Sequence, residues 1–363
     1  MSRATSPAWA PLAGKPRQGR VKVVAWDLDG TVWDGVLLED DDVAPKDEVV
    51  ATIRALDRLG ILHSVVSKND SAAALAKLRE LGIADYFLYP QIGWSAKSSA
   101  IERIAERLNI DVAAVAFVDD QEFERAEVAH VLPQVICVDV ADLAVAVAEP
   151  EFQPRFVTSE SARRRQMYRQ QMARDEAEHD FVGPSEEFLA GLEMVFTISE
   201  AKVQDLQRAE ELTVRTSQLN STGRTYSYEE LVQLCDSPDH LLLVASLTDK
   251  FGDYGAIGLC LVEKTADSWY LRLLLMSCRV VSRGVGTVLL NHVIELADRA
   301  GAALRADFVE TGRNRMMQIT YAFAGFQELT REGEAVTLEL TTPRTQPQPG
   351  FVTVIAPDTG GSR

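Results

Sequence analysis

Five of the six residues 21–26 (VKVVAW) are apolar, the short unbroken run of a strand buried on both faces, and the run ends abruptly at Asp27. Val49, Ile53 and Leu56 then recur at helical spacing until Gly60, and residues 61–66 read as a second strand that ends in Ser67, Lys68 and Asn69. Leu75, Leu78 and Leu81 predict a helix closed by Gly82, and a third strand follows near residues 86–89. Ile101, Ile104 and Leu108 predict a helix that opens after Lys97. Residues 115–118 read as a fourth strand, ending in Asp119 and Asp120, and residues 135–138 as a fifth. Strands alternating with helices of this length predict βαβ units, hence a parallel sheet with right-handed crossovers.

Residues 149–191 break the pattern. They are rich in charge, with Arg163, Arg164 and Arg165 beside Met167 and Tyr168, and predict a helical connector that turns at Gly183 and Pro184. The arginine cluster suits either an acidic partner or a solvated helix face. A second α/β pattern occupies residues 192–342: helices near residues 203–214 and 228–234 flank a polar stretch, RTSQLNSTGRTY, and strands follow at residues 241–246, 256–263 and 269–278. Residues 281–286 lead into a helix with Val285, Val288, Leu289, His292, Val293 and Leu296 on one face, and a last strand is predicted near residues 335–340. The ends, residues 1–20 and 343–363, lack periodicity and are expected to be disordered tails. The first domain is thus expected over residues 21–148.

Composition narrows the function classes. A length of 363 residues suits two domains, and a formal net charge of -17 argues against a nucleic-acid or anionic-membrane surface. Cys137, Cys235, Cys260 and Cys278 form no CxxC pair, neither a zinc pattern nor a disulfide framework, which fits a reduced, cytoplasmic compartment. No apolar run approaches the roughly 18 residues of a membrane span, and the N-terminal residues lack the apolar core of a signal peptide. Small molecules or protein are the expected partners.

The polar residues recur in one place. Asp27 and Asp29, Ser67, and Asp119 with Asp120 each follow a strand's carboxyl end, where open α/β sheets bind ligands, and Lys97 opens the segment before the fourth strand. Clustered carboxylates resist being desolvated together and call for a cation, so a Mg²⁺ site is expected in which one Asp also attacks phosphorus and another serves as acid and base. A hydroxyl at Ser67 and an ammonium at Lys97 suit phosphoryl oxygens, and Asp119 or Asp120 suits a hard cation. In the second half, Gly284 and Gly286 before a helix predict an anion site suited to a pyrophosphate. Cys278 ends a predicted strand in MSCRV, where Arg279, Arg283 and the helix N-terminus all favour a thiolate, although a free Cys more often simply packs.

DLDGT, the strand into SKND, Lys97 and FVDD resemble the four motifs of the haloacid-dehalogenase-type phosphohydrolases. The resemblance implies Asp27 as nucleophile and Asp29 as acid and base. It also implies Thr31, Ser67 and Lys97 as phosphate binders, and Asp27, Asp29, Asp119 and Asp120 around Mg²⁺. The second half resembles the N-acetyltransferase (GNAT) fold in Gly284 and Gly286 and in RNRMMQITYAFAGF, although Val281 stands where that signature has Arg or Gln. The fold class implied is α/β, a parallel sheet without a large cap domain followed by a GNAT-like α+β domain. With RTSQLN, MSCRV and RNRMM, the whole is similar to the FkbH-like glyceryl transferase/phosphatases. Many members have Asn at the place of Gly30, and Asn-Pro at that of Gln121 and Glu122. The family implies 1,3-bisphosphoglycerate as substrate and an acyl carrier protein as partner, toward a methoxymalonyl-type polyketide unit. Cys278 is then the acyl carrier, and Asn220, Arg224, Arg279, Gly284, Gly286 and Asn314 are candidates for binding the acyl or pantetheine chain. A phosphatase with a binding module, and an N-acyltransferase with an idle first domain, are the alternatives.

Overall fold

The structure, a computed structural model, describes residues 18–40, 42–216, 218–341 and 349–357, with the backbone alone at residues 278 and 282. It divides into two units, residues 1–169 and 170–363, and the boundary falls inside one helix of the expected connector, α7 (Arg164–Asp180).

In the first unit the chain runs β1 (Val23–Trp26), a small antiparallel hairpin of β2 (Trp33–Asp34) and β3 (Ala44–Pro45), α1 (Asp47–Arg58), β4 (Leu62–Ser67), α2 (Ser71–Glu80), β5 (Gln91–Ile92), α3 (Lys97–Leu108), β6 (Val115–Asp119), α4 (Glu122–Val131) and β7 (Ile136–Asp139), then the short helices α5 (Leu143–Ala146) and α6 (Ser159–Ala162). Five strands form a parallel sheet in the order β5-β4-β1-β6-β7. β1, β4 and β6 are buried at every residue, as strands covered on both faces must be. The predicted third strand is met only in part: residues 84–86 form a 3-10 turn, Phe87 makes an isolated parallel bridge to His63, and the strand proper is β5. Order begins inside the expected N-terminal tail, because Arg20 donates to the Ala113 carbonyl at 2.7 Å and also to that of Gln134. Residues 1–17 lie outside the described residues.

His63, on β4, is fully buried in this core. Its Nδ1 accepts from Trp26 Nε1 at 3.0 Å, which places the ring proton on Nε2, and among the described residues Nε2 has no well-aligned acceptor. Burial pulls the imidazole pKa down to about 3, offset only in part by the Ile53 backbone. A histidine whose folded pKa is depressed stabilises the fold above its unfolded value, and the contribution is lost as pH falls through about 6.5 toward 3, at about 1.4 kcal/mol per pH unit. His63→Leu removes that slope and leaves Trp26 without its acceptor. Denaturant titrations of both proteins between pH 7 and pH 4 are expected to show the variant less stable at neutrality and the gap closing as pH falls. A gap independent of pH would contradict a neutral buried ring.

The second unit opens with the latter part of α7 and α8 (Ser185–Ala190), followed by β8 (Met194–Glu200), α9 (Val203–Arg215), α10 (Tyr228–Asp236), β9 (His240–Asp249), β10 (Gly252–Lys264), β11 (Ser268–Met276), α11 (Val288–Arg299), β12 (Ala303–Val309), α12 (Arg315–Ala324), β13 (Phe326–Glu332), β14 (Ala335–Leu340) and β15 (Val352–Ile355). The eight strands form a mixed sheet in the order β13-β14-β12-β11-β10-β9-β8-β15. One face packs on α8, α11 and α12, the other on α9 and α10. The C-terminal tail was expected to be disordered from residue 343, yet β15 pairs in parallel with β8. Its sequence, VTVI, is β-branched throughout, and Val352 buries against the first face. Residues 342–348 and 358–363 lie outside the described residues.

Candidate active site

β1 ends at Trp26, and the Asp27 N–H donates to the Val118 carbonyl of β6 at 3.0 Å, so the carboxyl ends of the two central strands stand side by side. Asp27 and Asp119 are both buried, and Lys97 Nζ lies between them, 3.1 Å from Asp27 Oδ1 and 2.5 Å from Asp119 Oδ2. Lys97 is the first residue of α3, where the helix dipole disfavours a cation. The two carboxylates outweigh that penalty. Burial, opposed by Lys97 and reinforced by Asp119, pushes the Asp27 pKa up to about 6, and burial likewise raises that of Asp119. Burial also disfavours the Lys97 ammonium, but the two carboxylates overcome it and hold its pKa above the ordinary lysine value.

Among the described residues, Asp27, Asp119 and Asp120 offer carboxylate oxygens that all lie within 4.8 Å of one another. Three hard oxygen donors in such a cluster fit Mg²⁺, with one lysine already compensating part of the charge. Asp29, expected among the metal residues, is absent from this group. Its Oδ1 accepts from Trp33 Nε1 (2.7 Å) and the Leu37 N–H (3.1 Å), and its Oδ2 from Asn69 Nδ2 (2.9 Å). Thr31, expected on phosphate, is also spent elsewhere: its fully buried hydroxyl accepts from the Asp120 N–H (3.0 Å) and donates to Asp120 Oδ1 (3.2 Å). Its role in the geometry is to place Asp120. Gly30 has φ +69°, and a Cβ there would lie 2.5 Å from Asp120 Oδ2, so a side chain at this position displaces that carboxylate. Ser67 ends β4 and is buried with its hydroxyl unbonded to any described residue.

Trp33 and Asn69 carried no assignment in the sequence. Asn69 stood in the quoted SKND, but nothing in that string tells which carboxylate it meets. Arg125 also braces the site, donating to the Asp119 carbonyl at 2.8 Å and to Asp139 at 2.6 Å. The arginine cluster 163–165 is not a uniform solvated face: Arg164 is buried and donates to the Gly60 carbonyl, and Arg165 is paired with Asp57 at 2.8 Å.

In the second unit, β11 and β12 pair in parallel from Ser268 with Ala303 to Leu271 with Ala306, and no registered pair follows. Residues 219–221 fill the place beyond. Met276 N donates to the Leu219 carbonyl (2.9 Å), Ser221 N to Leu274 O (2.9 Å), Leu274 N to Ser221 Oγ (3.0 Å) and Val309 N to Ser221 O (3.0 Å). Asn314 Nδ2 donates to the carbonyls of Asn220 (3.0 Å) and Val309 (2.8 Å). The side chain of Asn220 accepts from Thr222 N and Gly223 N and donates to the Arg224 carbonyl. Both asparagines, candidates for acyl or pantetheine binding, therefore fasten backbone, and both are buried. Arg224 lies over the Tyr226 ring and 3.3 Å from Glu230.

Cys278 begins a 3-10 turn, Cys278–Arg283, and its side chain lies outside those described. Arg279 donates to the Tyr254 carbonyl at 2.9 Å. Arg283 is fully buried, 2.9 Å from Glu178 and 3.7 Å from Asp175, so its charge is met by carboxylates of its own unit. The expected helix begins only at Val288, after Gly284 in the left-handed region (φ +68°) and Gly286, around which a Cβ would meet nothing within 4 Å.

Residues 34–129 match the family of haloacid dehalogenase-like hydrolases, a span that includes Ser67, Lys97, Asp119 and Asp120 but not Asp27. No protein of curated function matches the chain. The N-terminal part of a Bacteroides fragilis protein, containing a phosphatase domain complexed with Mg, is similar at 24% identity over 38% of this chain and 42% of that one, with a TM-score of 0.34. The chain thus spans less than half of that protein. The Escherichia coli ribosomal-protein-S18-alanine N-acetyltransferase is similar at 19% identity over 41% of this chain and 96% of that one, with a TM-score of 0.32. The 3-deoxy-D-manno-octulosonate 8-phosphate phosphatase of Moraxella catarrhalis, in complex with magnesium, phosphate and its sugar, is similar at 21% identity over 32% of this chain and 65% of that one, with a TM-score of 0.27. The fold class is α/β, a parallel-sheet unit that carries the hydrolase-family match and a mixed-sheet unit after it. Among the described residues, no helix is long and apolar enough to cross a membrane.

Proposed function

We propose that the chain is a Mg²⁺-dependent phosphohydrolase and glyceryl transferase, acting on 1,3-bisphosphoglycerate and delivering the glyceryl unit as a thioester to the phosphopantetheine arm of an acyl carrier protein. The observation that supports the hydrolytic half is the pair of buried carboxylates, Asp27 and Asp119, bridged by Lys97 at the carboxyl end of the parallel sheet. The substrate, the carrier and the polyketide setting rest on the resemblance of DLDGT, RTSQLN, MSCRV and RNRMM to the FkbH-like family.

The C3 phosphate is a monoester, whose uncatalysed hydrolysis needs up to roughly 10²¹-fold acceleration. Asp27 Oδ attacks phosphorus, the bond from phosphorus to the glyceryl C3 oxygen breaks, and Asp29 supplies the proton to that oxygen. Water then attacks the aspartyl-phosphate, Asp29 takes its proton, and Asp27 is regenerated with release of phosphate. Lys97 offsets charge on the transferring oxygens. Held by Asp27, Asp119 and Asp120, Mg²⁺ would supply further charge stabilisation. The C1 acyl phosphate is already activated: a thiolate at Cys278, or the carrier's own thiol, attacks the C1 carbonyl, the bond to phosphate oxygen breaks and phosphate leaves; an acyl group on Cys278 then passes to the carrier thiol with return of the cysteine thiolate.

Intact-protein mass spectrometry tests the reading on a mixture of the enzyme, Mg²⁺, freshly generated 1,3-bisphosphoglycerate and a phosphopantetheinylated carrier. A glyceryl mass is expected on the carrier, and transiently on the enzyme in a form that Cys278→Ala abolishes. Phosphate release with no acyl adduct on either protein reduces the function to a phosphatase.

A further inference from the structure

The hairpin that follows Asp29 is organised around that carboxylate. Trp33, four residues on, and the Leu37 N–H, eight residues on, both donate to Oδ1, and Asn69 reaches Oδ2 from the loop between β4 and α2. Each side-chain donor is itself locked. Trp33 is fully buried, so packing fixes its indole. Asn69 is 1% exposed, and its Oδ1 accepts from the Asp70 N–H while the Asp70 carboxylate caps α2 at Ala73. A carboxylate offers about four lone-pair sites, and described residues occupy three, two on Oδ1 and one on Oδ2. The oxygen with capacity left is Oδ2.

We infer that Trp33 and Asn69 are positioning residues for Asp29: they immobilise the carboxylate and leave one lone pair of Oδ2 to carry the proton. The inference rests on the reading of Asp27 as nucleophile and Asp29 as its acid and base. In the first step the Asp29 proton passes to the leaving oxygen as the P–O bond breaks; in the second Asp29 removes a proton from the water that adds to phosphorus as the Asp27–phosphorus bond breaks. An activated leaving group dispenses with the proton in the first step but not in the second. Loosening Asp29 therefore slows the two steps unequally, and the inequality depends on the leaving group.

The test compares the full chain with Trp33→Phe and Asn69→Leu on p-nitrophenyl phosphate and on 3-phosphoglycerate in the presence of Mg²⁺. Both variants are expected to lose roughly ten- to hundredfold in kcat, with little change in KM on 3-phosphoglycerate and a parallel fall in KM on p-nitrophenyl phosphate, where the second step alone is slowed. On p-nitrophenyl phosphate they are expected to show a burst of about one nitrophenolate per enzyme, with a phosphoryl mass accumulating on Asp27. No burst is expected on 3-phosphoglycerate, whose leaving oxygen needs the proton. Should Trp33→Phe fail to fold, Asn69→Leu carries the same readout. Variants with parental rates, or slowed equally on both substrates without burst or adduct, overturn the inference. The parent chain is measured first: turnover that is absent, or that survives Asp27→Asn, overturns the nucleophile assignment and the inference together, whereas parental turnover with burst-free variants overturns the inference alone.

Discussion

Asp27→Asn is expected to lower phosphate release by about 10⁴-fold or more, some 5.5 kcal/mol of transition-state stabilisation, without unfolding the first unit. The amide has no oxygen able to form the acyl phosphate, so residual turnover has to come from binding and charge stabilisation alone. Its effect on stability runs the other way. Asp27 is 3% exposed and its pKa is raised, chiefly by burial, so its charged form costs the folded state free energy above about pH 6. The sign follows: a folded pKa above the unfolded one means that stability falls as pH rises between the two. The Asn variant lacks that titration and is expected to be at least as stable as the parent at neutral pH without metal, an advantage that fades toward about pH 4. Phosphate assays set beside denaturant melts separate the effects. A variant that is inactive because it is unfolded would argue for a structural carboxylate instead.

In the second unit the largest effect is expected at Arg174. Its guanidinium is 1% exposed, bonded to Asp249 through Nε (2.7 Å) and a terminal nitrogen (2.9 Å), and 3.9 Å from the centroid of the Tyr254 ring. Asp249 additionally accepts from the Phe251 and Gly252 N–H groups and from the Tyr254 hydroxyl. Arg174→Met leaves a buried carboxylate without its cation and is expected to cost about 3–5 kcal/mol. Adding Asp249→Asn removes the orphan charge while keeping an acceptor for the two backbone donors, and is expected to restore about 2 kcal/mol of that loss. Hydrogen exchange of β9 and β10 in the full chain reads both. Single and double variants of equal stability would mean that Asp249 tolerates solitude through its other donors.

Periodicity served well where burial is two-sided. The apolar runs of β1 and β6 are so continuous that no surface helix accommodates them, and the polar residues that end β1, β4 and β6 or follow them mark the sheet's carboxyl edge. It failed where pairing is set by partners distant in sequence. β5 is two residues long, and its register with Val66 and Ser67 leaves no periodic trace. β15 was masked by a Pro- and Gly-rich neighbourhood although its own four residues favour a strand. At the site, the sequence brought Asp27 and Asp119 to one crevice through their places after strands, and Lys97 through its place at the start of the segment before the fourth strand. It gave no means to see that Thr31 serves Asp120, or that Asp29 is held by Trp33 and Asn69, because hydroxyl and indole donors carry no mark of the acceptor they will meet. Asn220 and Asn314 invited a ligand role for the same reason: a buried amide that closes a loop looks in sequence like one that greets a substrate.

Residues 219–221 have a mechanical side. The strands β13, β14 and β12 join the other five of their sheet along four registered pairs between β11 and β12, and past Leu271 this borrowed segment spans the seam beside the Arg272–Asp307 ion pair. It belongs to the connection between α9 and α10, so a tug on that connection bears on Leu274 and Val309 together. The outer three strands are thus sutured to the rest in part by a thread drawn from elsewhere in the chain, and loosening that loop would open the far end of the seam first.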